Sequence, residues 1–100
     1  MNISIDYDNT YTDDPVLWNS FIQQAVRRGH SVYCVTARSP LESKEVYDSI
    51  GLVLGGPSKC FFTSNAPKRE FMDSKGINIH VWIDDMPDAI GSRSSGGIIL

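Results

Sequence analysis

One hundred residues, 41% of them apolar and 21% charged, suit one compact domain with a modest but real core. The formal net charge of -3 argues against a surface that embraces nucleic acid throughout, although a locally basic cleft is compatible with it. No apolar run of about 18 residues is present to cross a bilayer, and no basic start leads into an apolar stretch with a cleavage site, so the expectation is a soluble, cytoplasmic protein with no membrane partner. Cys34 and Cys60 lie inside apolar runs and form no short metal-ligand pair; they read as reduced core thiols.

In chain order, short runs rich in β-branched residues alternate with segments of helical spacing, which points to βαβ units and a parallel sheet. Strand one is expected over Ile3 to Asp6. The next helix has clear boundaries: Asp14 can cap it, Pro15 suits its first position, Leu17, Phe21 and Ala25 recur every four residues, and Gly29 can end it. "SVYCV" reads as strand two. Ser39, Pro40 and Glu42 form a capping-box pattern that predicts a second helix reaching Gly51.

Leu54 to Ser58 reads as a loop, "KCFFT" as strand three, and Asn65 as the cap of a third helix with Pro67 and Lys68 in its first turn and an end near Gly76. "INIHVWI" reads as strand four. A short helical or irregular piece, a flexible Ser/Gly stretch and a final edge strand in "GIIL" follow.

The polar residues fall at the strand ends. Asp6 and Asp8 close strand one, Thr36 closes strand two, Lys68 begins the third helix, and Asp84 with Asp85 closes strand four. An open parallel sheet gathers all strand carboxyl ends on one edge, where ligands bind, so these residues should converge. Two carboxylates about 4 Å apart repel by about 4 kcal/mol at an effective dielectric near 20. A cation offsets this, and Mg²⁺ prefers hard oxygens from one or two carboxylates together with a substrate phosphate. Lys68 can neutralise phosphate charge, the Thr36 hydroxyl can donate to a phosphate oxygen, and an ionised carboxylate can act as nucleophile. Asp13 and Asp14 read as caps and solvated loop residues, and Arg38 either contacts a substrate phosphate or is an exposed arginine beside a cap.

With these residues in place, the chain resembles the haloacid dehalogenase superfamily. "DYDNT" resembles its first motif, Asp-x-Asp-x-Thr; "CVTAR" resembles the second; Lys68 supplies the third; and "WIDDMP" resembles the acidic fourth. The resemblance implies an α/β three-layer sandwich of Rossmann-like build, with a central parallel sheet of about five strands ordered 5-4-1-2-3, spanning residues 1–100 as one catalytic domain. Neither usual insertion point holds a cap domain, so the site should be open to a large phosphorylated substrate, such as a nucleic-acid end or a phosphoprotein, or be covered by a partner chain.

The resemblance further implies a Mg²⁺-dependent phosphatase. Asp6 matches the nucleophile that forms an aspartyl-phosphate, and Asp8 matches the general acid/base. Asp6, the Asp8 backbone carbonyl, and Asp85 supported by Asp84 match the metal ligands, with Asp88 a weaker candidate. Thr36 and Lys68 match the phosphate-positioning pair, while Thr10 and Arg38 stand as substrate-binding candidates. Asn9 occupies a turn position where many members carry Gly, and Asn tolerates the left-handed backbone that such a turn needs. Lys75 competes with Lys68; Lys68 is favoured because a first-turn lysine after strand three faces the carboxyl edge, whereas Lys75 closes the helix at the opposite edge. Two readings of another class stay open: a catalytically silent Mg²⁺- and phosphate-binding module, and a receiver-like regulatory domain. The receiver order would put the phosphoacceptor Asp at strand three, where this chain has Thr63.

Overall fold

A computed structural model of the chain describes residues 1–91 and 98–100. Strands β1 (Asn2–Ile5), β2 (Ser31–Thr36), β3 (Cys60–Phe62) and β4 (Val81–Ile83) form an all-parallel sheet in the order β3-β2-β1-β4, and a two-residue strand β5 (Ile98–Ile99) runs beside β4. The helices are α1 (Pro15–Arg27), α2 (Lys44–Tyr47), α3 (Ile50–Leu54) and α4 (Lys68–Ser74). The architecture is α/β and compatible with a Rossmann-like sandwich. The Ser/Gly stretch at 92–97 lies outside the described residues.

Period-two alternation divides the sheet between two cores. Ile3, Ile5, Val32 and Cys34 point to the face carrying α1 and α3, where they meet Ile22, Ala25 and Ile50; Val35 and Trp82 point to the other, with Met72, Ile79 and Ile90. A fully buried isoleucine such as Ile22 contributes about 1.5–3 kcal/mol relative to leaving it exposed. Cys34 and Cys60 pair in register on neighbouring strands and are buried free thiols, in keeping with packing roles.

The expected α1 forms with its boundaries: Asp14 Oδ1 accepts from the Leu17 amide at 3.1 Å, and Pro15 takes the first position. The single helix expected from Ser39 to Gly51 is instead broken into three. The capping box does form, with Ser39 Oγ accepting from the Leu41 amide and Glu42 Oε1 from the Ser39 amide, but it opens only a 3-10 turn at Pro40–Glu42. α2 then stops because Ser49 Oγ donates to the Glu45 carbonyl at 2.6 Å, taking an acceptor that a continuing helix would use. α3 restarts at Ile50 and ends at Leu54, the first residue of the expected loop, closing on Gly55 at φ 101°.

Two further boundaries differ. Asn65 does not cap α4; it adopts φ 66°, and its amide donates to the Ala37 carbonyl, while the Thr63 and Ser64 amides donate to Thr36 and Arg38. These bonds continue the β2–β3 pairing past the strands and hold the loop after β2 in place. The expected strand over residues 77–83 is strand only from Val81. Ile77 donates to the Met72 carbonyl to close α4, and His80 with Asn2 ties the connector to β1.

Replacing Asp14 by Ala should remove the α1 cap and destabilise the protein by about 0.5–2 kcal/mol. Urea unfolding measures this directly; an unchanged midpoint would mean the bond to Leu17 contributes nothing.

Candidate active site

The carboxyl edge of the sheet brings Asp6, Thr36, Lys68 and Asp84 together, all buried. Each is delivered by local structure: Asp6 follows β1 and its amide donates to the Ile83 carbonyl, Thr36 ends β2, Asp84 follows β4, and Lys68 opens α4. Lys68 Nζ donates to Asp6 Oδ1 at 2.8 Å and to Asp84 Oδ2 at 2.6 Å, and only 2% of the lysine is exposed. Lys75 lies at the other end of α4, over the Phe71 ring. Asp84 is also fixed through Oδ1, which accepts from the Met86 amide at 2.9 Å.

Asp6, Asp84 and Asp85 each present an oxygen within 4.8 Å of the others, forming a group able to hold a metal ion. The donor set suits a hard cation: three carboxylates face a single ammonium, which leaves negative charge uncompensated in a mostly buried site. Burial pushes the Asp6 carboxyl up to about 6, with Lys68 opposing the rise and Asp85 and Asp84 adding to it. Lys68 is held above its usual range by Asp6 and Asp84, although desolvation pulls the other way. Asp88 belongs to the 3-10 turn Pro87–Ala89 and is not a member of this carboxylate group.

Thr10 is buried beside two of the carboxylates. Its hydroxyl lies 3.4 Å from Asp6 Oδ2 and 3.3 Å from Asp85 Oδ1, so its one proton bridges two carboxylates and orients them. The turn that delivers it depends on Asn9 at φ 63°, the left-handed conformation expected there, with the Asn9 amide donating to Thr12 Oγ1. Thr36 Oγ1 accepts from the Arg38 amide at 3.3 Å, which leaves its own proton free to donate.

Asp8 lines the same edge but commits its carboxylate to a cation of its own. Both of its oxygens are taken by Arg38, whose Nε and Nη2 each donate at 2.9 Å, a two-point fork. Arg38 also lies 5.0 Å above the centre of the Tyr7 ring and donates to the Glu42 carbonyl. Hydrogen bonds from Arg38 hold the Asp8 carboxyl below its usual range, and Asp8 raises the arginine in turn. This fork and the Tyr7 platform are the features that reading the sequence missed. The available signal was positional: Arg38 stands two residues past the end of β2, on the edge to which Asp8 also belongs.

A cavity of about 100 Å³ opens among Asp6, Asp8, Thr36, Lys68, Asp84 and Asp85. Its volume equals that of only a few water molecules at about 30 Å³ each. Among the described residues no helix is long and apolar enough to cross a membrane. No protein-family model, curated protein or solved structure matches the chain.

A proton and a cation compete for Asp6. Above pH about 6 the carboxyl is ionised and available to a metal; below it the proton must first be displaced. Mg²⁺ affinity, measured by calorimetry, should therefore fall as pH drops through about 6, approaching tenfold per unit for one displaced proton. Equal affinity at pH about 7.5 and about 5 would show that binding displaces no proton from Asp6 in this range.

Proposed function

We propose that the chain is a capless, Mg²⁺-dependent phosphatase of the haloacid dehalogenase type, which hydrolyses phosphate monoesters through an aspartyl-phosphate on Asp6. The observation that carries this reading is the convergence of Asp6, Asp84, Asp85 and Lys68 at one sheet edge, with Thr36 beside them and Asp8 two residues beyond Asp6. The proposal extends to the fold: β5 counts as the fifth strand, and the sheet order as 5-4-1-2-3. It also extends to a cytoplasmic setting and to residues 1–100 acting as a single catalytic domain.

Each residue then has a task. Asp6 attacks phosphorus, the ester bond breaks, and the leaving oxygen takes a proton from Asp8; Asp8 then removes a proton from the water that hydrolyses the acyl-phosphate. Lys68 and the Thr36 hydroxyl steady the phosphate oxygens. Bound Mg²⁺, on Asp6, the Asp8 backbone carbonyl, Asp84 and Asp85, would supply the positive charge that offsets carboxylate and phosphate repulsion. Arg38 supports the cycle in a specific way. Arg38 holds Asp8 from outside the cavity, and a substrate anion that drew the guanidinium off Asp8 would let that carboxyl take up from water the proton it must donate. The small cavity favours substrates whose bulk lies outside, such as nucleic-acid ends or phosphoproteins.

The same fork favours a second reading. While Arg38 holds both oxygens of Asp8, that carboxyl stays ionised and has no proton to give, which suits a catalytically silent module that binds Mg²⁺ and phosphate or acts like a receiver. Turnover separates the two. Nucleotides, 3'-phosphorylated oligonucleotides, phosphopeptides and sugar phosphates should be tested with and without Mg²⁺. Phosphate release from at least one class is expected, abolished in Asp6→Asn and lowered by about 10²–10⁴ in Asp8→Asn. Binding of phosphate and Mg²⁺ without release from any class would favour the silent module.

A further inference from the structure

Two hollows of about 730 and about 340 Å³ lie side by side on the α1 face of the sheet, the larger reaching the carboxyl edge at Asn9, Asp84 and Asp85, which also line the candidate active-site cavity. Phe21, Ile83 and Leu100 line both, which makes them one continuous trough. Ile3, Val81 and Ile83 supply sheet residues, and one wall is the α1 row of Leu17, Phe21, Gln24 and Arg28, spaced as one helix face. Among the described residues no second helix lines it. Both faces of the sheet carry a core, with Ile22 and Ala25 of α1 on this face and Met72 of α4 on the other, and beside α1 the trough leaves apolar surface open, Leu17 being 53% exposed.

The trough is also polarised. Asp13 and Asp14 stand at one end and Arg28 at the other, with Arg27 beside it, separated by the length of α1, about 20 Å for a helix of this size. A surface that is acidic at one end, apolar between, and basic at the other complements itself when a second copy is laid antiparallel across a two-fold axis. We propose that a second copy of this chain docks in this trough, α1 against α1, to form a symmetric dimer.

In that arrangement Leu17 and Phe21 of the two α1 helices cover each other, and each acidic end meets a basic end. The acidic end of the trough also reaches Asn9, Thr10 and Asp85, so docking brings the second copy's basic helix end beside the strand ends of the first. The inference concerns assembly alone and stands whether or not the chain turns over a phosphate ester.

Sedimentation equilibrium of the full chain, from low to high micromolar concentration, tests it. A mass of twice 11.1 kDa is expected, with dissociation promoted by salt. Leu17→Lys, at a position already more than half exposed, should keep the circular dichroism of the parent and sediment as a monomer. Asp13→Lys and Arg28→Glu should each weaken association about tenfold or more by setting like charges together, and the double variant should recover most of the loss. A mass of 11.1 kDa throughout overturns the proposal. So does a dimer indifferent to Leu17→Lys, or a charge-swapped pair that shows no recovery.

Discussion

Lys68 is an ammonium almost wholly removed from water, held between Asp6 after β1 and Asp84 after β4. Desolvating three charged groups is costly, and their mutual attraction offsets that cost only when geometry is close and the remaining lone pairs are satisfied. Both conditions are met: the contacts are 2.8 and 2.6 Å, the second oxygen of Asp84 takes the Met86 amide, and the second oxygen of Asp6 faces the Thr10 hydroxyl. The rest of the site depends on this arrangement. It fixes where Asp6 points, and it couples the start of α4 to the central strands. Because two carboxylates share one ammonium and Asp85 stands beside them, the site is also left with an appetite for a cation.

Asp8 and Asp6 are two residues apart and live in different electrostatic surroundings. Burial raises Asp6, whereas Arg38 lowers Asp8, so the two carboxyls are driven in opposite directions. A nucleophile needs its carboxyl ionised and a proton donor needs its carboxyl protonated, so these directions run against the roles proposed for Asp6 and Asp8. Asp8 is committed to Arg38, and in the proposed cycle it becomes a proton donor only when Arg38 finds another anion.

Much of the site was legible in the sequence because strand ends are legible. Ile3 and Ile5, Val32 and Cys34, and Trp82 with Ile83 alternate or cluster as buried strands must, and a parallel sheet then sends Asp6, Thr36 and Asp84 to one edge without further information. Asn9 could be read as a left-handed turn residue from its side chain alone. What escaped was set by competition for backbone groups. Ser49 draws on the Glu45 carbonyl and splits a helix that spacing alone makes continuous. Asn65, a good cap by type, is occupied by Ala37. The Arg38–Asp8 fork joins residues thirty apart in sequence, and no local pattern encodes such a contact. The contacts of Thr10 with the carboxylates escaped as well, because they depend on the turn that carries it beside Asp6 and Asp85.

The central claim is that Asp6 becomes covalently phosphorylated. Its most direct test is to quench the protein with acid during turnover in Mg²⁺, reduce with borohydride, and sequence the peptide containing residues 1–14 by mass spectrometry. Reduction of an aspartyl-phosphate leaves homoserine, so the account predicts homoserine at position 6, absent when Mg²⁺ or substrate is withheld. Efficient turnover with Asp6 recovered unmodified at every quench time, or with homoserine at position 8 instead, would contradict it.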